Sequence, residues 1–440
     1  MSFLPILKNS PHDIPIFWFN DKQVSQAHFK KDVLLVAENL PSHKYIINLC
    51  EDRYLFAITF FACVIKNYIC LMPAHRAEKE IEEIEEEYTD TQRQNDQQIK
   101  NILNKKNKKT TAFPQEINSE QLVAIIFTSG SSGKPKANHK KWGTLFDSAQ
   151  RVAKRLNLNN STQHTLIATV PPQHMYGFET TVIFPLVTGV CVHNSKPFFP
   201  EDIRQTLGSV EGNLVLVTTP IHLRACCQNK LEWPTLDFVL CATAPLSSEL
   251  ALKAEQQLDT SLYEIYGCSE SGVIATRRTT KNLDWSLLTD YKLSKKITGV
   301  CLSTPATAEE NLLSDQIEVV DSQHFRLLGR QSDLVKIAGK RGSLNNLKLK
   351  LCAIDGVDDA VFFIPDENPD EKARIAAFVI APNLSTKEIH SLLSPQIDSA
   401  FMPRPLIKVK SLPYNETGKL LRKNLISLFT QSRSHLKSSA

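Results

Sequence analysis

The feature that most constrains the fold of this chain is an alternation of apolar runs and helical stretches between Gln121 and Thr276. Helical patterns occur at residues 141–156 and 247–258. The apolar runs have the length of strands and lie at residues 122–127, 166–170, 214–217, 238–241 and 261–265. Strands that are separated by helices usually pair in parallel, so the alternation predicts a parallel sheet with helices on both faces. In such sheets ligands bind in the loops at the carboxyl ends of the strands.

Other elements are predicted on both sides of this region. A strand at residues 45–49 and a mostly buried helix at 54–65 form another α/β unit. After about Asp315 the pattern changes to that of a smaller α+β unit, with strands predicted at 316–320, 325–328, 360–364 and 374–380 and helices at 344–352 and 386–393. We therefore predict an α/β protein with two domains, because 440 residues exceed the length of one ordinary domain. A large N-terminal domain, residues 1–331, has mostly parallel sheets covered by helices, and a small α+β domain spans residues 332–440.

Charge is unevenly distributed along the chain. Residues 78–110 contain an acidic run followed by a basic run, which predicts a solvated helix and a loose charged loop. Residues 401–440 contain eight Lys and Arg against one Glu, whereas the whole chain has a net charge of only +4. The small net charge does not favour nucleic-acid binding. The basic tail fits either a solvated end or an acidic partner.

The cysteines and the N-terminus indicate the cellular compartment. None of the ten cysteines has a CxxC or zinc-like spacing, and most lie in apolar runs, where a free thiol behaves as a small hydrophobe. The N-terminus lacks the basic start and apolar core of a signal peptide. No apolar run reaches the ~18 residues that a membrane helix requires. We expect a cytoplasmic protein with no membrane insertion and no nucleic-acid partner.

The strongest local signal is a segment of Ser, Gly and Lys that directly follows a predicted buried strand, Thr128-Ser129-Gly130-Ser131-Ser132-Gly133-Lys134-Pro135-Lys136. Glycine is scarce in this chain, 15 of 440 residues, so two in one loop indicate a requirement of the backbone. Small residues let successive N–H groups point into one concavity that binds phosphate oxygens. The segment is not a Walker loop, because only Ser131 and Ser132 separate its glycines and Pro135 follows the lysine. A flexible Ser/Gly loop is the alternative.

This segment resembles the phosphate loop of the adenylate-forming superfamily, which contains acyl-CoA synthetases, aryl-acid ligases, peptide-synthetase adenylation domains and luciferases. Further segments match the superfamily in order and spacing, and the similarity spans about residues 45–425. These segments are Tyr266-Gly267-Cys268-Ser269-Glu270, Asp315 with Gly329-Arg330, Lys336 with Gly339-Lys340-Arg341, and Leu412-Pro413 through Thr417-Gly418-Lys419. The resemblance implies the superfamily's fold and its activity, the activation of a carboxylic acid with ATP.

The resemblance assigns the first motifs to ATP and Mg²⁺. The residues that would bind the phosphates are Thr128, Ser129, Gly130, Ser131, Ser132, Gly133, Lys136 and Ser269. Glu270 corresponds to the glutamate that is linked to Mg²⁺ in the superfamily. The residues that would surround the adenine and the ribose are Ala244, Pro245, Tyr266, Asp315 and Arg330. Such a site catalyses mainly by positioning two anions and stabilising their charge.

The later motifs imply a catalytic cycle with two orientations of the small domain. Lys419 would bridge the substrate carboxylate and the α-phosphate during adenylation, so Lys419, Lys336 and Glu270 are the candidate catalytic residues. Lys336 and Gly339 would serve the second orientation, in which the Gly339 loop lines a channel for a thiol. The hinge position falls on Ser332, where many members carry Asp or Lys. The resemblance thus implies a mobile C-terminal domain.

The acyl substrate site is assigned to two of these segments and to the run Pro171–Phe178, which resembles an aromatic-histidine motif. The residues that would line it are His174, Tyr176, Gly177, Gly267 and Cys268. They imply a pocket of moderate size for an aryl or a short to medium acyl acid. Val170 stands where peptide-synthetase domains usually hold the ammonium group of an amino acid, which disfavours α-amino acids. Glu179 is close enough to leave them open.

We therefore predict an ATP-dependent acid ligase that forms acyl-AMP and pyrophosphate and then transfers the acyl group to a thiol. The expected cofactors are ATP and Mg²⁺, and the expected partners are a carboxylic acid and either coenzyme A (CoA) or the phosphopantetheine of an acyl carrier protein. The short region before Thr128 resembles compact ligases of aryl-polyene-type pathways. The alternatives are a luciferase-like oxidation and a non-catalytic adenylate- or acyl-binding protein that retains the fold. The non-catalytic alternative is disfavoured because the chain contains Lys336, Lys419, Glu270 and the complete phosphate loop.

Overall fold

The protein is described by a computed structural model that covers residues 2–20, 22–105, 112–129, 135–158, 163–228, 231–297, 299–304, 307–330, 334–337, 340–365, 374–414 and 420–438. Its strands in chain order are β1 (Phe3–Pro5), β2 (Pro15–Phe19), β3 (Lys22–Ser25), β4 (Tyr45–Asn48), β5 (Ile69–Met72), β6 (Thr91–Gln94), β7 (Glu116–Asn118), β8 (Leu122–Ser129), β9 (Pro135–Lys141), β10 (His164–Ala168), β11 (Cys191–His193), β12 (Asn213–Thr218), β13 (Phe238–Cys241), β14 (Ser261–Cys268), β15 (Gly272–Arg277), β16 (Trp285–Leu287), β17 (Lys292–Lys296), β18 (Gly299–Thr304), β19 (Thr307–Leu312), β20 (Asp315–Val319), β21 (His324–Arg330), β22 (Leu334–Ile337), β23 (Lys340–Ser343), β24 (Asp359–Phe363), β25 (Ala376–Ile380) and β26 (Leu406–Lys408).

The helices in chain order are α1 (Gln26–Asn39), α2 (Arg53–Ile65), α3 (Glu78–Glu87), α4 (Asp96–Leu103), α5 (Trp142–Arg155), α6 (Met175–Phe178), α7 (Phe184–Thr188), α8 (Pro200–Gly208), α9 (Pro220–Gln228), α10 (Ser248–Leu258), α11 (Leu344–Cys352), α12 (Thr386–Leu393) and α13 (Arg422–Ser438). A π-helical segment, Glu179–Ile183, joins α6 to α7. Several helices begin at a polar side chain that accepts a hydrogen bond from a backbone N–H of the first turn, and these caps are Ser25, Asp52, Asn95, Ser247 and Ser385. Such caps satisfy donors that have no partner within the helix.

Two sheets form the larger part of the molecule. One has eleven strands in the order β20-β21-β16-β15-β14-β13-β12-β10-β11-β2-β3, and its strands from β14 to β2 are parallel. The other has the order β6-β4-β5-β8-β9, in which only β9 is antiparallel. The predicted α/β fold with mostly parallel sheets is confirmed. The expectation of one sheet for the strands between Gln121 and Thr276 was wrong, because β8 pairs with β5 and turns back into β9.

Both sheets are buried on both faces, and their strands alternate between two cores. In β12, Val215 and Val217 point to the central core, which also contains nearly the whole of α2. Leu214 and Leu216 point to the opposite face, under helices α8, α9 and α10. Since successive strand residues face opposite sides, this alternation places one apolar layer between the sheets and another outside. The described helices include none that is long and apolar enough to cross a membrane.

The C-terminal part has cores of its own. One cluster of buried residues runs from Val335 to Met402 and is formed by α11, α12 and one face of the β24-β25-β26 sheet. The opposite face of that sheet is covered by Leu425 and Phe429 of α13. The basic tail is thus largely a helix and not only a solvated end. The sequence pattern changes at the hairpin β20–β21. This hairpin forms one end of the eleven-stranded sheet, where β21 pairs with β16, so it belongs to the larger part. The domain boundary at 331/332 stays a prediction.

The charged region 78–110 is more ordered than predicted. Helix α3 is the expected solvated helix, with Ile81 and Ile84 buried on one side. The following residues form an edge strand, β6, and a capped helix, α4, instead of a loop. Helix α4 is held by Ile99 and Ile102, two apolar residues at the three-residue spacing of a helical face. Residues 106–111 of the basic run lie outside the described residues.

Candidate functional site

The predicted phosphate loop connects two strands of a β-hairpin. Strands β8 and β9 pair so that Thr128 lies opposite Lys136 and Ser129 opposite Pro135. The connection therefore follows the carboxyl end of β8, which belongs to a parallel group of strands, and this is where ligands bind in such sheets. Asn138 fixes the hairpin, since its buried amide donates to the backbone carbonyls of Ile126 and Lys136, each at 3.1 Å. The connection itself lies outside the described residues, which include none of Gly130, Ser131, Ser132 and Gly133.

Lys136 of this hairpin forms an ion pair with Glu270, which lies in the turn between β14 and β15 of the other sheet. Lys136 Nζ is 2.5 Å from Glu270 Oε1, and the two side chains are 60% and 48% exposed. Partial burial raises the pKa of Glu270, but the hydrogen bond and the charge of Lys136 outweigh burial, so this pKa lies below its ordinary value. The bond to Glu270 likewise raises the pKa of Lys136. Both groups are therefore charged at neutral pH and accessible from outside.

A second lysine of β9, Lys140, contacts the backbone of the same turn from inside the protein. Lys140 Nζ donates to the backbone carbonyls of Ser269 and Glu270, the latter at 3.2 Å. The side chain is buried, and burial lowers its pKa, while the negative charge of Glu179 opposes that shift. Lys140 was not among the predicted site residues, because a lysine in a polar run is usually solvated. Its position four residues after Lys136 on one strand was the only available signal.

The residues assigned to the adenine and ribose lie on the neighbouring strands. The hydroxyl of Tyr266 donates to Asp315 Oδ2 at 2.7 Å, and the Tyr266 ring packs against Trp285 and Phe325, each with ring centroids 5.6 Å apart. Asp315 lies directly opposite Arg330 in the β20–β21 ladder. The ring of Tyr266 is thus largely buried by neighbouring aromatic side chains. Its stacking on an adenine base stays a prediction.

Ala244 and Pro245 follow β13, which lies next to β14 in the eleven-stranded sheet. Ala244 is half-buried and Pro245 is exposed. The preceding residue, Thr243, has a φ of +82°, which is rare for a side chain with a β-branch. Ser269, assigned to the α-phosphate, is half-buried beside Glu270. The carboxyl ends of β8, β13 and β14 therefore carry predicted nucleotide residues.

The residues assigned to the acyl group are partly explained by packing. A Cβ atom on Gly177 would lie 2.0 Å from the Pro171 carbonyl oxygen, and one on Gly267 would lie 2.4 Å from that of Gly272. Close backbone approach therefore requires glycine at both positions. The residues with side chains at this place are half-buried and are His174, Tyr176 and Cys268.

Tyr176 reaches across to the strand that precedes the adenine segment, because its hydroxyl donates to the carbonyl oxygen of Leu240 at 3.1 Å. Burial raises the pKa of the Cys268 thiol, which disfavours a thiolate at neutral pH. Glu179 is buried, and its Oε1 lies 3.1 Å from the hydroxyl of Ser148. Its carboxylate is thus engaged inside the protein, which argues against its binding the ammonium group of a substrate.

The remaining predicted residues are those from Arg330 onward in the chain. Lys336 lies in β22, opposite Arg341 of β23, and Arg330 lies at the end of β21. Ser332, Gly339 and Lys419 lie outside the described residues. The structure therefore brings together the Lys136 and Glu270 pair and, separately, the Tyr266 and Asp315 pair. The described residues contain no group of three or more His, Cys, Asp or Glu side chains arranged to hold a metal ion.

Comparison with known proteins identifies the family. The sequence profile of the AMP-binding enzymes matches residues 39–304. The chain belongs to the AMP-binding enzyme family. It is similar to the 4-coumarate–CoA ligase of Halorhodospira halophila, with 24% identity over 69% of this chain and 76% of the relative. It is also similar to the 3,4-dihydroxybenzoate–[aryl-carrier protein] ligase of Bacillus anthracis, with 22% identity over 70% of this chain and 74% of the relative.

Solved structures of the family share the fold over nearly the whole chain. The o-succinylbenzoate CoA synthetase of Bacillus subtilis, solved in complex with an acyl-adenylate intermediate, superimposes with a TM-score of 0.80. The match covers 97% of this chain and 98% of that protein, at 15% sequence identity. The structural match confirms the predicted fold class. The match to the family profile over residues 39–304 confirms the resemblance to the adenylate-forming superfamily, which rested on five short motifs.

Proposed function

We propose that this AMP-binding family member is an ATP-dependent acid ligase. It joins a carboxylic acid to AMP with release of pyrophosphate and then transfers the acyl group to the thiol of CoA or of a carrier-protein phosphopantetheine. The observation that carries the proposal is the ion pair between Lys136 and Glu270. It joins the strand that follows the predicted phosphate loop to the turn with the predicted magnesium glutamate, although these segments belong to different sheets.

The charges at this pair suit a metal-bound triphosphate. Mg²⁺ is usually held by one or two carboxylates together with substrate phosphates and waters, so a single exposed Glu270 is a sufficient protein ligand. Bound Mg²⁺ would supply positive charge beside the leaving pyrophosphate. The ammonium of Lys136 would then bind phosphate oxygens. Activating the acid requires two anions to meet, and the partly exposed lysine lowers the electrostatic cost of that encounter.

The other assigned residues complete the proposal. Asp315 and Arg330, paired across β20 and β21, would bind the ribose hydroxyls. His174, Tyr176 and Cys268 would line the acyl site, which follows the carboxyl ends of the parallel strands. Lys419 would act in adenylation and Lys336 in thiol transfer. Both lysines would belong to a C-terminal domain, residues 332–440, that changes its orientation between the two steps.

The test is the exchange of labelled pyrophosphate into ATP, measured with a panel of aryl and short to medium acyl acids. A ligase catalyses exchange only when its acid is present. The acceptor is then identified by product mass after addition of CoA or of a phosphopantetheinylated carrier protein. If the protein binds adenylate but catalyses no pyrophosphate exchange with any acid, the ligase proposal is wrong and the non-catalytic binding protein takes its place.

A further inference from the structure

The turn that presents Glu270 rests on a buried charge. Lys140 is only 2% exposed, yet its ammonium donates to two consecutive carbonyls of the turn, those of Ser269 and Glu270. A buried ammonium is costly unless it is hydrogen-bonded and its charge is compensated. Its position is therefore strongly determined, unlike that of a surface lysine.

Glu179, in the π-helical segment that follows α6, lies near enough for its negative charge to oppose the effect of burial on the pKa of Lys140. Burial raises the pKa of Glu179 to about 7, and the main influence that opposes this shift is the positive charge of Lys140. The carboxylate also accepts a hydrogen bond from the Ser148 hydroxyl at 3.1 Å. π-Helical turns within helices are rare and frequently occur at functional sites.

The end of the turn is shaped to fit the carboxylate of Glu179. Gly272, where the turn enters β15, has a φ of +72°, and a Cβ atom there would lie 2.5 Å from Glu179 Oε1. Glycine at this position therefore serves both the backbone conformation and the close approach of the carboxylate. Lys140 contacts the beginning of the turn and Glu179 lies against its end, so the two charged groups support it on both sides.

We propose that Lys140 and Glu179 are positioning residues that hold the 269–272 turn, so that Glu270 and Ser269 stay in place when the nucleotide is bound. The inference rests on the proposed function, in which Glu270 binds the metal and Lys136 binds phosphate, so that their ion pair opens. An exposed ion pair of this kind contributes little to the stability of the folded protein. The turn then depends on the hydrogen bonds from Lys140.

The functional test varies Lys140 and follows the Mg²⁺ dependence of pyrophosphate exchange. In Lys140→Met, the Mg²⁺ concentration for half-maximal exchange rises about 10–100-fold, which is the usual effect of losing a residue that orients a metal ligand. The KM for the acid changes little. Lys140→Arg retains a buried cation and recovers part of the loss. The control is Lys141→Met, because Lys141 is the next residue of β9 but is exposed and pairs with Glu120 at 2.7 Å.

The second readout does not depend on activity. Hydrogen–deuterium exchange of peptides covering residues 261–277 is compared in the wild type, Lys140→Met, Glu179→Gln and Lys141→Met, all without nucleotide. We expect faster exchange of the turn in the first two variants only. If Glu179 acts through Lys140, the Glu179→Gln/Lys140→Met double variant exchanges no faster than Lys140→Met alone.

The outcomes separate the two proposals. A wild type that shows no acid-dependent exchange of pyrophosphate contradicts the ligase, whatever the turn does. An active wild type whose Mg²⁺ dependence and turn protection are both unchanged in Lys140→Met overturns the positioning role. A Lys140→Met variant that loses protection throughout the chain has unfolded. In that case the two single variants Lys140→Arg and Glu179→Gln are used to test the positioning role. Normal turn protection in both of these folded variants rejects the inference.

Discussion

Lys136 and Lys140 lie four residues apart on one face of β9 and both contact Glu270, the first through its carboxylate and the second through its backbone carbonyl. Side chains separated by an even number of residues share one face of a strand, so the spacing itself produces this arrangement. The outer lysine is 60% exposed and the inner one is buried. One strand thus provides an exposed cation beside the Glu270 carboxylate and a buried cation bound to the backbone of the same turn.

The outer pair is expected to matter for catalysis and little for stability. Glu270→Gln keeps the shape of the side chain but removes the charge that is proposed to bind Mg²⁺, so we expect kcat/KM for MgATP to fall about 100-fold or more. The free energy of unfolding changes by less than about 1 kcal/mol, because the pair is exposed. Pyrophosphate exchange and urea unfolding measure the two effects. A large loss of stability with unchanged exchange would assign Glu270 a structural role.

The buried carboxyl of Glu179 gives the stability of the protein a pH dependence. Its pKa is raised to about 7 in the folded protein, above the ordinary value of 4.5. The folded state therefore binds this proton more tightly than the unfolded state, so the resulting stabilisation is complete below pH 4.5 and is lost as the pH rises through 7. Glu179→Gln does not titrate, so the stability of the wild type relative to this variant should fall between pH 5 and 8. Parallel unfolding curves across that range would contradict the shift.

The contact between α9 and β24 is expected to depend on one buried aspartate. Asp359 Oδ2 lies 3.0 Å from Arg224 and accepts a hydrogen bond from the Tyr414 hydroxyl at 2.6 Å, and Oδ1 lies 3.4 Å from Lys348. Asp359→Asn leaves two cations without a countercharge and destabilises the C-terminal part by about 3 kcal/mol. Arg224→Met costs only about 1 kcal/mol, because Asp359 keeps its other partners. Differential scanning calorimetry compares the stability of the two variants. Equal losses of stability would show that the contact depends on Arg224 as much as on Asp359.

A buried arginine connects α2 to the eleven-stranded sheet. The Arg53 guanidinium donates to four backbone carbonyls, those of His193, Ser195, Ala168 and Val170. Its planar fork reaches acceptors that a single ammonium does not reach together. Arg53→Lys and Arg53→Met should therefore both destabilise the protein, by roughly 3 kcal/mol in the methionine variant. Denaturant unfolding measures the loss, and an unchanged midpoint in Arg53→Met would contradict this role.

Local patterns predicted many elements of the fold correctly. The helices expected at 344–352 and 386–393 are α11 and α12, with the same bounds. Both have apolar residues at helical spacing and a serine at the start, Ser343 and Ser385, and these signals lie within one short segment. Sheet membership could not be predicted in the same way. Which strand lies beside β8 depends on β5, about fifty residues earlier, and no local pattern records that pairing.

The part of the site that sequence reasoning missed is polar and buried. Strand β9 has no apolar alternation, because Asn138 and Lys140 are buried through hydrogen bonds to backbone carbonyls. Hydropathy interprets such residues as solvated, so neither the strand nor the inner lysine was recognised. Glu179 was considered only as a ligand for a substrate amine, whereas its partners Lys140 and Ser148 come from elements before it in the chain.

The contact between Lys136 and Glu270 joins hairpins from two different sheets, and this has a consequence for folding. Neither sheet alone contains both groups, so the proposed phosphate site is complete only after the sheets have packed around α2. A ligand that binds only the packed state stabilises it in proportion to its concentration. MgATP should therefore stabilise the packing of the two sheets against each other, and its binding reports whether the two sheets have assembled.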